Sequence, residues 1–154
     1  MQVNIFTDGA ARGNPGPGGY GVVLIAGKHY KELSEGYRNT TNNRMELLAV
    51  IKALEAMKVE GIHITIHTDS KYVCDAVTKG WVFNWQRTNF KDKKNADLWT
   101  QFLRLYPKNK ITFKWVKGHA GHKENERCDV LATAAADDKA NLLIDAGFES
   151  GQFN

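Results

Sequence analysis

The sequence predicts an α/β domain. Two short β-rich runs end alike, in Ile5-Phe6-Thr7-Asp8-Gly9 and in Ile66-His67-Thr68-Asp69-Ser70, and a stretch of helical periodicity lies between them. Strand, crossover helix and strand in that order favour parallel pairing. The 154 residues are 42% hydrophobic and 25% charged, ordinary for one globular domain. A chain of this length buries about 68–70% of the surface of its unfolded form, so its core needs no covalent or metal staple.

Taken in order, residues 3–7 form a strand stopped by the turn signal Asp8-Gly9. The stretch Arg12-Gly13-Asn14-Pro15-Gly16-Pro17-Gly18-Gly19 holds two of the three prolines and is expected to be irregular. Residues 20–25 read as a strand, Gly27-Lys28 as a turn, and residues 30–37 as the hairpin partner. Thr40-Thr41-Asn42-Asn43 is a run of helix caps ahead of Met45, Leu47, Leu48, Ile51, Leu54 and Met57 at helical spacing. Gly61 is expected to stop that helix, and residues 62–68 alternate as a strand. Ser70 caps a helix through Val77 that Gly80 ends. Residues 81–94 are aromatic and basic without a clean period, and residues 95–106 form a helix stopped by Pro107. Residues 111–116 are a strand, residues 118–122 a glycine-flanked loop, and residues 124–136 a helix with Cys128, Leu131, Ala132 and Ala135 on one face. The domain is expected to span residues 1–138, with an acidic, poorly periodic tail at 139–154.

Charge is unevenly spread about a net of +4. Residues 1–78 balance at 8 basic against 8 acidic, whereas residues 79–94 carry 5 against 1 and residues 104–127 carry 7 against 2. Two basic stretches on a neutral body suit a polyanionic partner, since clustered cations release counterions from phosphates; taken alone they are better explained as a solvated basic face. The two cysteines lack C-x-x-C spacing, which points to a reducing compartment, the cytoplasm. Strand-like residues begin at Val3, so no secretory segment is expected. No apolar run approaches the roughly 18 residues of a spanning helix, so no membrane association is expected. No predicted helix has a spare apolar stripe, and a monomer is expected.

The chemistry lies in the acids. Neighbouring strands run about 4.8 Å apart, so Asp8 and Asp69 at matching strand ends would crowd one another. The carboxyl ends of strands are where open α/β sheets bind ligands, and two anions that close want a divalent cation or a shared proton. Either aspartate alone is better explained as a cap of the turn that follows it. Glu46 fits the N3 position of a capping box begun by Asn43, yet it heads the apolar row Val50, Ala53, Met57. Asp129 similarly aligns with Ala132, Thr133 and Ala136. Four acids at the margins of buried faces form a candidate metal site, and oxygen donors without cysteine point to Mg2+ or Mn2+. His119 and His122 with Cys128 complete no four-ligand zinc pattern. His119, between glycines, suits either a mobile proton carrier or a solvent-facing loop residue. Residues 13–21 lack the Gly-Lys-Ser/Thr ending of a phosphate-binding loop.

Several strings together carry a resemblance: Ile5-Phe6-Thr7-Asp8-Gly9, Gly13-Asn14-Pro15-Gly16-Pro17-Gly18-Gly19-Tyr20-Gly21, Thr40-Thr41-Asn42-Asn43-Arg44-Met45-Glu46-Leu47, Thr68-Asp69-Ser70, Trp115-Val116-Lys117-Gly118-His119-Ala120-Gly121-His122 and Glu124-Asn125-Glu126-Arg127-Cys128-Asp129. In this order, over residues 2–136, they resemble type 1 ribonuclease H of the bacterial kind. The resemblance implies a ribonuclease H-like fold, a mixed five-stranded sheet with helices on both faces. It implies an endonuclease that cleaves the RNA strand of an RNA–DNA hybrid with two Mg2+ ions bound alongside substrate, Mn2+ being able to substitute, and that leaves 5′-phosphate and 3′-hydroxyl ends. Asp8, Glu46, Asp69 and Asp129 are then the metal-binding catalytic acids, with Asp8 central, and His119 helps to move a proton or release product. Asn14, Thr41, Asn42 and Asn43 match positions that hold the hybrid, and Gly9, Ala11 and Lys71 are expected beside them. Trp81, Trp85 and Lys91 belong to a basic protrusion at about residues 80–94. Lys71 stands where a glutamine is common, and Gln86 where a lysine is common.

Overall fold

A computed structural model describes residues 2–117 and 122–154. Its strands β1 (Gln2–Ala11), β2 (Gly16–Ala26), β3 (His29–Thr40), β4 (His63–Thr68) and β5 (Lys110–Trp115) form one sheet in the order β3-β2-β1-β4-β5. The β1–β2 and β2–β3 pairs are antiparallel, and the β1–β4 and β4–β5 pairs are parallel. The helices are α1 (Asn42–Glu55), α2 (Lys71–Thr78), α3 (Trp81–Arg87), α4 (Ala96–Leu105), α5 (Lys123–Asp137) and α6 (Ala146–Glu149). No helix among the described residues is long and apolar enough to cross a membrane.

Helices α1 and α5 take opposite faces of the sheet, and two successive glycines show it. A Cβ on Gly18 would lie 3.2 Å from Met45 Cγ of α1, whereas one on Gly19 would strike the Ala132 carbonyl of α5. Val3, Ile5, Val22, Leu24, Ile64 and Ile66 alternate inward along their strands and pack with Leu47, Val50, Ile51 and Leu54 of α1. Trp99 and Phe102 of α4 are fully buried in the same cluster.

Several local expectations are corrected. Asp8-Gly9 is not a turn: β1 continues to Ala11, paired with β2 as far as Gly18. The stretch expected to be irregular joins β2 at Gly16, with a register shift between Gly16 and Gly18 that absorbs Pro17. Gly19 at its end and Gly21 just beyond answer to packing, because both lie directly beneath the α5 backbone. The cap of α1 is Thr41, whose side chain accepts from Arg44 N at 3.2 Å, so Glu46 is not in a capping box. That helix ends at Glu55, ahead of Gly61. Residues 81–87, assigned no period, form α3 because Trp85 packs edge-on against Trp99, with ring centroids 6.0 Å apart.

The tail, whose role the sequence left open, docks on the domain. Leu143 N donates to Gly36 O and Leu143 O accepts from Arg38 N, at 2.8 and 2.9 Å, which covers part of the exposed edge of β3. Asn95 N donates to Phe153 O at 2.9 Å. The glycine packing makes a quantitative expectation. A Cβ at Gly21 would strike the Cys128 carbonyl, a backbone atom that cannot rotate away. Gly21→Ala should therefore lower stability by about 1–3 kcal/mol, the usual cost of overpacking, as a fall in the urea midpoint at unchanged slope.

Candidate active site

Register alone brings two acids together. The parallel ladder between β1 and β4 ends at Phe6 opposite His67; Asp8 stands two residues further along β1, and Asp69 two residues further along the chain, just past the end of β4. Gly9 then admits a helix: a Cβ there would strike the Met45 and Glu46 backbone, so its absence lets α1 lie against β1. Asp8, Glu46 and Asp69 each offer a carboxylate oxygen, and the three atoms lie within 4.8 Å of one another. Gly9 N donates to Asp8 Oδ1 at 2.9 Å.

The group is electrostatically loaded. Burial, and then the charges of Asp8 and Asp69, push the Glu46 carboxyl well above the usual carboxylate range. Burial and the Asp8 charge likewise push the Cys128 thiol up, on the neighbouring face of α5. Glu46 Oε1 is buried and finds no hydrogen-bond partner in the protein. An orphaned oxygen beside two further carboxylates fits a hard divalent cation, which takes oxygen ligands and offsets the repulsion.

Asp129 lies on α5, outside this group of three. It sits within electrostatic reach of Arg12, which is paired with Asp137 at 2.8 Å. His119 falls outside the described residues.

The expected substrate residues form a clasp between the β1–β2 loop and the start of α1. Asn42 Oδ1 accepts from Ala11 N at 2.7 Å, and Asn14 Oδ1 accepts from Asn42 N at 3.0 Å. Thr41 spends its hydroxyl on the helix cap. Asn14, Pro15, Thr41, Asn43 and Lys94 of the basic protrusion line a cleft of about 310 Å3, and the sequence does not point to its remaining walls, Asn95, Phe148 and Asn154. No local signal marks those residues, because the cleft forms only where the tail folds back. Trp81 is 43% exposed with Lys79 Nζ 5.2 Å from its ring centre. Trp85 is half-buried against Trp99 with Lys93 Nζ above it at 5.2 Å, and Lys91 is exposed. Lys71 Nζ lies 4.8 Å from the ring centre of Trp115.

A mixed sheet carrying a centre of three carboxylates defines an α/β protein with a site suited to a divalent cation. The RNase H family model matches residues 1–137. The chain is 55% identical over 152 residues to a ribonuclease H of Syntrophus aciditrophicus (strain SB), across 96% of this chain and 87% of that one. It is 51% identical over 154 residues to a ribonuclease H of Pectobacterium atrosepticum, across 97% of each. Among solved structures it is similar to LC9-RNase H1, a type 1 RNase H with the type 2 active-site motif, at a TM-score of 0.80 and 29% identity over 98% of this chain and 81% of that one. It is also similar to LC11-RNase H1, solved in complex with an RNA/DNA hybrid, at a TM-score of 0.64 and 25% identity over 90% of this chain and 99% of that one. The chain belongs to the ribonuclease H family.

Proposed function

We propose that this chain is an endonuclease that hydrolyses the RNA strand of RNA–DNA hybrids, leaving 5′-phosphate and 3′-hydroxyl ends. The observation that carries the reading is the clustered trio of buried Asp8 and half-buried Glu46 and Asp69 in a chain of this family. Asp8, Glu46, Asp69 and Asp129 would hold Mg2+, or Mn2+ in its place, with two ions when substrate is bound. When bound, the ions supply a water of lowered pKa and steady the departing oxygen. The chain does the rest. Asp8 is held within β1, Asp69 directly after β4, and Glu46 by a helix docked through Gly9, so these three donors are positioned before substrate arrives.

Asn14, Thr41, Asn42 and Asn43 hold the hybrid, and the bonds from Asn42 N to Asn14 Oδ1 and from Ala11 N to Asn42 Oδ1 pre-shape the loop that meets it. The Asn42 and Asn43 amides suit base edges and 2′-hydroxyls, the group that tells RNA from DNA. Gly9, Ala11 and Lys71 flank them, Trp81, Trp85 and Lys91 extend the contact along the backbone, and His119 assists proton movement or product release. The chain works as a monomer in the cytoplasm. The test is cleavage of a labelled hybrid, a DNA duplex and an RNA duplex, each with Mg2+ and with chelator. Cleavage of the hybrid alone, and only with metal, is expected; hybrid binding without cleavage, or cleavage of the DNA duplex, overturns the reading.

The basic segment gives a separate expectation. Replacing Lys91, Lys93 and Lys94 with Ala should weaken hybrid binding and reduce the slope of log affinity against log salt by roughly 1 to 3, because each lost phosphate contact releases fewer counterions. The turnover rate at saturating hybrid should change little. A collapse of that rate with binding intact would place the segment at the chemistry instead.

A further inference from the structure

We propose that Trp115 is a positioning residue for the acid group, its indole holding the Asp69 backbone so that the Asp69 carboxylate stays beside Asp8 and Glu46. The inference rests on the ribonuclease reading of that group. Strand β4 ends at Thr68, whose carbonyl accepts from Val116 N at 2.9 Å, while Thr68 itself stands opposite Trp115. Asp69 follows directly, past the last residue of β4 and level with the end of β5, so no ladder bond to β5 fixes its carbonyl. The Trp115 indole does so instead: its Nε1–H donates to Asp69 O at 3.1 Å.

The surroundings make this a braced corner. On the far side of Asp69, Ser70 N donates to Thr68 Oγ1 at 3.0 Å, and Ser70 Oγ accepts from Val73 N at 3.2 Å to cap α2. Lys71, the first residue of α2, lays its ammonium over the indole at 4.8 Å and so secures the ring. Trp115 is 40% exposed, so burial in the core does not account for a side chain of this size. An aspartate also carries its carboxyl carbon only two bonds from Cα. Any backbone shift at Asp69 is passed almost undiminished to its oxygens, whereas Glu46 has a further methylene to adjust. Misplacing a catalytic group by about 1 Å can cost about 10²-fold in rate, so a partial release of this corner should cost about tenfold.

Two variants separate the indole N–H from its bulk: Trp115→Phe, and replacement of Trp115 by benzothienylalanine, which keeps the shape and loses the donor. Each is compared with the parent by single-turnover cleavage at saturating hybrid, by hybrid affinity in chelator, and by thermal melting in chelator. Mg2+ binding to the protein alone is followed through the Asp69 amide resonance. For the isostere we expect a rate about tenfold lower, weaker Mg2+ binding, hybrid affinity within about twofold, and a melting temperature within about 2 °C. A rate and a Mg2+ affinity both at parental levels overturn the proposal. So does weaker hybrid binding at an unchanged rate, which makes Trp115 a hybrid contact. A rate loss matched by a fall of many degrees in the isostere overturns it too, because the bond would then be merely structural. A parent that fails to cleave hybrid refutes the ribonuclease reading alone, and the Mg2+ titration still decides the role of Trp115.

Discussion

Asp8→Asn should reduce hybrid cleavage below detection while leaving the metal-free protein at least as stable as the parent. The substitution preserves shape, and the Asn oxygen can still accept from Gly9 N, as Asp8 Oδ1 does at 2.9 Å. It removes one of the three charges whose ligand oxygens lie within 4.8 Å of each other. Like charges held together destabilise the fold, and functional sites commonly trade stability in this way. The direction with pH follows from Glu46. Burial and its two acidic neighbours raise its folded pKa above the ordinary value of 4.5, so its contribution to stability is full below that value and is lost as pH rises through the raised one. In chelator the parent should therefore lose stability over that window, and Asp8→Asn should lose less. Mg2+ should raise the melting temperature of the parent, because it binds the folded state, and should raise that of the variant less. Thermal melts in chelator and in Mg2+, beside the cleavage assay, make the check. A variant that stays active, or that melts several degrees lower in chelator, would sink the clustered-acid site.

Arg44→Met should have the largest effect on stability. Arg44 is 1% exposed, and its guanidinium donates to Asp145 at 2.8 and 2.9 Å, to Asp97 at 2.9 and 2.7 Å and to Asn95 at 3.2 Å. Thr40 Oγ1 donates to the same Asp145 carboxylate at 2.7 Å. Removing the cation leaves two poorly hydrated carboxylates facing each other, and breaking such a buried pair typically costs about 3–5 kcal/mol. At about 2–4 °C per kcal/mol for a chain of this size, the melting temperature should fall by roughly 10 °C. Burial alone would raise the Asp145 carboxyl, but its bonds to Arg44 and Thr40 outweigh that and hold it below the usual value of 3.8. The stability this supplies is present above 3.8 and is lost as pH falls through the depressed value, so parent and variant should converge in strong acid. Urea unfolding at neutral and acid pH measures both; a loss under about 1 kcal/mol at neutral pH would reduce the network to a surface-like pair.

How much was legible from the chain depends on how far the deciding interaction reaches. Ser70 as the cap of α2, the alternation of β4 and the helical spacing behind α1 are set by residues within a few positions of one another, and all three stand. The Asp8–Asp69 pairing was also readable, because two strands with the same ending and a crossover between them must bring those endings side by side. The glycines were not. A glycine is equally the mark of a turn and of a close approach, and only the crossing of α5 over β2 shows that Gly19 and Gly21 are the second kind. Helix α3 has little periodicity of its own and exists by packing Trp85 on Trp99, a partner fourteen positions away. Arg44 reads as one more polar residue at the start of α1 until Asp97 and Asp145 arrive from 53 and 101 residues away. Trp115 reads as the end of a strand until its indole reaches the Asp69 carbonyl, 46 residues earlier. By itself, then, the sequence determined the α/β class, most of the elements and the crowding of Asp8 with Asp69, since local backbone preference and apolar periodicity depend on near neighbours. Tertiary structure alone decided which glycines admit a helix, which charge is buried and which side chain braces the site, because desolvation and close packing depend on whichever distant segment comes to lie alongside.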